Sequence, residues 1–153
     1  ELSACLVGSE MCIRDRSYGG EKLEDWKIKI SVLWLFSDVA FISYTILTLM
    51  KPGVLEQVMA GEIEGLQIGP EILLLDAIIF LFPLVMAFLT LTLKDSINRW
   101  VNIIMGTVGV VLSLVGLSGD LAQPYAYAIL IWISKVLVDA LIVWYAWKSK
   151  QKV

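Results

Sequence analysis

At 153 residues the chain is long enough for one domain, but with 58% hydrophobic and 18% charged residues and a mean hydropathy of +0.78 it does not read as a water-facing globule, which is nearer half apolar and a quarter charged. The formal net charge of −3 lacks the basic footprint of a nucleic-acid binder. No His is present, which excludes His bases, His-ligated haem and His metal sites, and both cysteines, Cys5 and Cys12, fall in the first sixteen residues. No metal or cofactor site is expected.

Leu6 to Arg16, LVGSEMCIRDR, matches the in-frame translation of a transposon-based sequencing adapter over eleven consecutive residues. Residues 1–16 are therefore read as a non-native, adapter-derived segment to be set aside before fold reasoning. No chemistry is assigned to Cys12, Arg14 or Asp15. Residues 17–27, SYGGEKLEDWK, form a polar lead-in. Its Trp26 stands between charges, where a membrane surface enriches Trp.

Residues 28–147 carry four apolar blocks. The first span, about 28–50, is long enough at 1.5 Å per residue for a hydrocarbon core of about 30 Å. Asp38 interrupts it near the middle, and Ser31, Asp38 and Thr45 recur every seven residues as a polar stripe. Pro52-Gly53 ends the helix. In the connection that follows, Val54, Leu55, Val58 and Met59 can face away from Glu56 and Gln57, which predicts one or two helical turns lying in the interface. Glu62, Glu64 and Glu71 make this connection acidic.

The second span, about 71–93, has Asp76 near one end and Pro83 in its middle. Pro83 lacks an N–H, so it frees the carbonyl of Ile79 and predicts a kink. Residues 94–100, KDSINRW, read as a tight polar turn capped and anchored by Asn98 and Arg99. The third span, about 101–117, carries Asn102, Gly106, Gly109, Ser113 and Gly116 at spacings of four, three, four and three. These small residues form one seam that lets another helix approach closely, within the chain or in a second copy. A loop with Asp120 leads to the fourth span, about 125–147, and residues 148–153 make a basic tail.

Orientation follows from Lys and Arg. One side gathers Lys22, Lys27, Lys29, Lys94, Arg99, Lys148, Lys150 and Lys152, and the other only Lys51. The positive-inside rule then places both termini in the cytoplasm. Trp26, Trp100, Trp144, Tyr145 and Trp147 lie near span ends as interface anchors, while Trp34 and Trp132 lie deeper. The expected fold is an all-α, polytopic membrane protein, a four-transmembrane-helix bundle with N-in/C-in topology.

The fourth span holds Lys135 and Asp139, four apart and so on one helical face. A charge at mid-bilayer is costly, so this face must turn toward protein. Counted from the cytoplasmic ends, Asp38, Lys135 and Asp139 lie roughly 15, 18 and 12 Å deep. Equal depth predicts an ion pair between Lys135 and Asp38, with Asp139 as a second carboxylate and Asp76 within reach through a bridging water. Two readings follow. The cluster is a buried salt bridge that fixes helix packing, or it is a proton or ion relay in a small proton-coupled transporter or transporter subunit. No phosphate loop, metal-ligand cluster or nucleophile–base pair recruits an enzyme.

Several short motifs occur in a fixed order: Lys29-Ile30-Ser31-Val32-Leu33-Trp34, Leu49-Met50 before Pro52-Gly53, Pro83, Asn98-Arg99-Trp100-Val101-Asn102, and Val143-Trp144-Tyr145-Ala146-Trp147. On these the chain resembles, over roughly residues 27–147, an uncharacterised bacterial family of small four-helix membrane proteins, a domain of unknown function. Thr45 and Lys51 stand where the family pattern has acids. The resemblance implies a fold and a multi-pass location in the bacterial inner membrane. It implies no activity.

Overall fold

The computed structural model describes residues 25–63, 65–122 and 125–149. The adapter-like segment, most of the polar lead-in and the end of the basic tail lie outside the described residues. Four long helices dominate: α1 (Asp25–Leu49), α3 (Pro70–Thr92), α4 (Asp95–Asp120) and α5 (Ala126–Lys148). Each is a long, predominantly apolar run with few polar interruptions. Asp25 sits in the first turn of α1, where the partial positive charge of the helix terminus favours an acid. Pro52-Gly53 follows its end, with Gly53 at φ 84°. Pro70 opens α3 at a position where its missing N–H costs nothing, and α3 continues through Pro83.

Between α1 and α3 lies a short helix, α2 (Val54–Met59), where one or two helical turns are expected; none of its residues is buried. After it comes a hairpin that the sequence reading lacks. β1 (Glu62–Ile63) pairs antiparallel with β2 (Leu66–Gln67), Glu62 opposite Gln67 and Ile63 opposite Leu66. Gly61 and Gly65 hold φ of 80° and 81°, which lets so short a segment reverse direction. The all-α description holds apart from these four residues.

A second difference concerns residues 94–100. They are not a turn. Leu93 and Lys94 alone adopt extended backbone, and α4 begins at Asp95, six residues before the expected start of the third span. The reason is tertiary. Asn98 and Asn102, one helical turn apart, are both fully buried with their amides hydrogen-bonded, so these polar residues need no solvent-facing loop.

α1 packs against both α3 and α5, and α4 packs along α5, whereas α3 and α4 touch little beyond the turn that joins them. Ile30, Trp34, Met86, Ala87, Val138, Ile142 and Ala146 form the core, in the half of the bundle nearer that turn. The outward faces are apolar: Leu73, Leu74, Leu75 and Ile78 on α3, and Val111, Leu112, Leu114 and Val115 on α4, are all exposed. All four long helices are long and apolar enough to cross a membrane.

The small-residue seam faces α5 of the same chain. A Cβ on Gly106 would lie 2.8 Å from a Val143 methyl, one on Gly109 3.1 Å from the Asp139 carboxylate, and one on Gly116 2.4 Å from the Trp132 ring. Glycine is therefore what lets α4 and α5 meet at these three levels. The seam is filled within the chain, so a second copy would have to use another face.

Candidate functional site

The fourth-span charges sit where three helices converge. α5 carries Lys135 and Asp139 on its inward face, α1 brings Ser37, and α4 brings Ser113 from the seam. Asp139 is fully buried. Ser37 Oγ donates to its Oδ1 at 3.2 Å, and Ser113 Oγ donates to its Oδ2 at 2.9 Å. Lys135 Nζ donates to Ser37 Oγ at 2.7 Å. The same ammonium lies 3.7 Å from Asp139 Oδ2, close enough for an ion pair and too long for a hydrogen bond. Ser37 thus receives from the lysine and gives to the carboxylate, which makes a continuous chain Lys135 to Ser37 to Asp139.

The expected partner of Lys135 is corrected. Asp38 makes no ion pair with Lys135; among the described residues Lys135 bridges only Asp139. Depth along a helix fixes height but not azimuth. Residue 38 is turned about 100° from residue 37, and it is Ser37 that faces the centre. Asp38 is half-buried with one carboxylate oxygen, Oδ1, lacking any hydrogen-bond partner. Asp76 is exposed on α3, and no ion pair joins it to Lys135. The first-span stripe also dissolves: Ser31 donates to the Ala87 carbonyl, Thr45 bonds back to its own helix, and the buried line is Ile30, Ser31, Trp34 and Ser37. The signal that could have found Ser37 is its spacing from Ile30 and Trp34, seven and three residues, which defines one helical face.

A cavity of about 120 Å³ lies against this cluster, lined from all four long helices. Ser37, Ser113, Lys135 and Asp139 supply its polar edge, and Trp34, Phe82 and Leu112 are among its apolar walls. Trp34 and Phe82 meet edge to face, centroids 5.7 Å apart. Pro83 and Ile79 line it as well, so the carbonyl that Pro83 deprives of a helical donor belongs to a cavity-lining residue.

Two further polar networks flank the cavity. Toward the α3–α4 turn, Trp34 Nε1 donates to Asn102 Oδ1 at 2.7 Å, Thr90 Oγ1 donates to the same oxygen at 3.2 Å, and Asn98 Nδ2 donates to the Thr90 carbonyl at 2.6 Å. At the opposite end Asp120, expected in a loop, is the last residue of α4. Its Oδ2 accepts from Tyr44 at 2.8 Å and from Trp132 at 2.6 Å. Sequence reasoning placed Asn102 in the seam and Asp120 in a loop; it missed Thr90 and the partners that make Asn102 and Asp120 network centres.

The sequence profile of a family of unknown function, DUF6326, matches residues 21–152. The chain belongs to that family. The expectation of an uncharacterised family, drawn from motifs over residues 27–147, agrees with this match. No curated protein and no solved structure matches the chain.

In this DUF6326 chain the central cluster has two chemical capacities. It can hold three helices together through one buried carboxylate hydrogen-bonded at both oxygens, or it can pass a proton along Lys135, Ser37 and Asp139. Among the described residues no group of three His, Cys, Asp or Glu is placed to hold a metal ion.

Proposed function

We propose that this chain is an integral protein of a bacterial inner membrane, crossing it four times with both ends cytoplasmic, and that its Lys135–Asp139 pair is a structural pin. The outward faces of the long helices support membrane insertion, since exposed Leu, Ile and Val there would be paid for in water but not in lipid. One observation carries the pin. Asp139 is fully buried and collects hydroxyls from α1 and α4 while its own helix supplies the cation. Breaking such a pair from one side leaves an uncompensated buried charge.

The test is a double-mutant cycle on Lys135→Met and Asp139→Asn, read as resistance to unfolding in detergent. Each single change should destabilise the fold, and the double change should recover much of the loss. If the two losses simply add, the pair is not a unit.

A second reading, a small proton-coupled carrier or carrier subunit, draws support from the cavity that reaches Lys135 and from the hydroxyl linking it to Asp139. It expects purified protein in liposomes to relax an imposed pH gradient, and the folded double mutant to lose that activity. A gradient that decays no faster than in empty liposomes counts against it.

A further inference from the structure

A pin would be served best by a dry, filled centre, yet a cavity opens beside Lys135. Its place in the bundle says where it opens. It lies between α3 and α4, the two helices that barely touch. Ile79, Val108 and Leu112 line it from those helices and are themselves exposed at 46%, 44% and 63%. An opening rimmed by exposed aliphatic side chains at the middle of a bilayer faces hydrocarbon rather than water, so whatever enters is lipophilic. This step rests on the membrane reading above.

The polar edge says what the occupant carries. An ammonium has three N–H donors. Lys135 gives one to Ser37, and its contact to Asp139 is too long to consume another as a hydrogen bond. Both Asp139 oxygens already accept from serines. Lys135 therefore keeps N–H donors that no hydrogen bond among the described residues takes up. Lys135 and Asp139 together are neutral, so an anionic occupant would add a net charge in a low-dielectric setting, which is costly. A neutral acceptor adds none. The volume of about 120 Å³ is of the order of the apolar cavity, about 150 Å³, that takes up benzene, and the Trp34 and Phe82 rings offer a wall suited to a flat molecule.

We propose that the cavity between α3 and α4 binds a small, neutral, lipophilic ring compound bearing a carbonyl oxygen, which accepts a hydrogen bond from Lys135 Nζ. The probes are 4-fluoroacetophenone, fluorobenzene and 4-fluorobenzoate, titrated by fluorine NMR against the full chain in phosphatidylethanolamine/phosphatidylglycerol nanodiscs, with empty discs giving the partitioning background. The ketone should bind saturably and about tenfold or more tighter than fluorobenzene, the difference expected of a hydrogen bond from a charged donor. Leu112→Trp fills the mouth from a residue that makes none of the cluster's hydrogen bonds and should abolish saturable binding. Lys135→Met, where it folds, should bring the ketone down to fluorobenzene. Equal binding of ketone and fluorobenzene by the unaltered chain, tightest binding of the benzoate, binding that survives Leu112→Trp, or no saturable signal would each overturn the proposal. Co-elution of protein with discs is read first. A chain that does not enter discs overturns the membrane reading and this site with it, whereas a chain that enters and fails to bind overturns the site alone.

Discussion

Asp139 shows how one residue's position is set by its neighbours. The carboxylate is reached by two hydroxyls and an ammonium, and it packs closely against position 109: a Cβ there would stand 3.1 Å from Oδ2. Gly109→Ala asks the carboxylate to move while the two serines hold it. We expect a loss of about 1–3 kcal/mol, the usual cost of overpacking, seen as a lower thermal midpoint of the protein in detergent. At Gly116 the conflict is sharper. A Cβ would lie 2.4 Å from the Trp132 ring, and that indole is tied through Nε1 to Asp120. Gly116→Ala should therefore lower the midpoint at least as much as Gly109→Ala, and an unchanged midpoint would mean that the indole can leave Asp120 freely. The two acids of the central region should also behave oppositely. Asp139→Asn breaks a buried ion pair hydrogen-bonded across three helices and should cost about 3–5 kcal/mol. Asp38→Asn removes a carboxylate with one unpartnered buried oxygen and no ion pair to Lys135, and should leave the midpoint unchanged or raise it.

At the scale of elements, α4 depends on residues that look like loop. Asn102 accepts from Trp34 on α1 and Thr90 on α3, and its amide donates to Asn98 within α4, so three helices meet on one side chain. Asn102→Leu keeps the branched shape and strands the Trp34 N–H. A buried donor left unpaired costs about 1–3 kcal/mol, and circular dichroism during SDS titration should show helicity lost at a lower SDS fraction; no shift would place Trp34 elsewhere. This network explains why the α4 start was not legible in the sequence. Lys94 to Trp100 is polar, and polarity between two apolar blocks reads as a turn until the partners of Asn98 and Asn102 are known. The four apolar blocks and the glycine seam were legible, because length and spacing alone define them. The inward face of α1 was less so. When the outside of a helix is as apolar as the inside, periodicity no longer separates them, and a conspicuous Asp38 outweighs an ordinary Ser37. The β1–β2 hairpin has two residues per strand, too few to show any alternation.

For the whole molecule, the orientation in a bilayer rests on an asymmetry between its two ends. Lys27, Lys29, Lys94, Arg99 and Lys148 gather at the end with the α3–α4 turn, and several are engaged there: Lys27 pairs with Asp95 and donates to the Leu93 carbonyl at 3.1 Å, and Lys29 lies over the Tyr145 ring. Among the described residues the opposite end has Lys51 alone, seated 4.4 Å from the Tyr125 ring centroid, and the connection that follows it carries the acids Glu56, Glu62 and Glu71. Cationic side chains hold a segment in the cytoplasm during insertion, and acids contribute little. The first end should therefore be cytoplasmic and the α2–hairpin connection external. Cysteine labelling reads this directly. The chain's two cysteines, Cys5 and Cys12, are first changed to serine, and single cysteines are placed at two exposed positions, Gln57→Cys in α2 and Ser96→Cys at the start of α4. In intact spheroplasts a membrane-impermeant maleimide should modify the cysteine at 57 and spare the one at 96 until the membrane is opened. The reverse pattern would invert the topology, and labelling of both in intact cells would mean either two orientations or no insertion. Lysine placement also predicts how to turn the protein over. Charge at Lys94 and Arg99 is exposed or half-exposed and makes none of the central contacts, so removing both while adding lysines at Gln57 and Gln67 should shift labelling toward the reversed pattern without disturbing the cluster around Asp139.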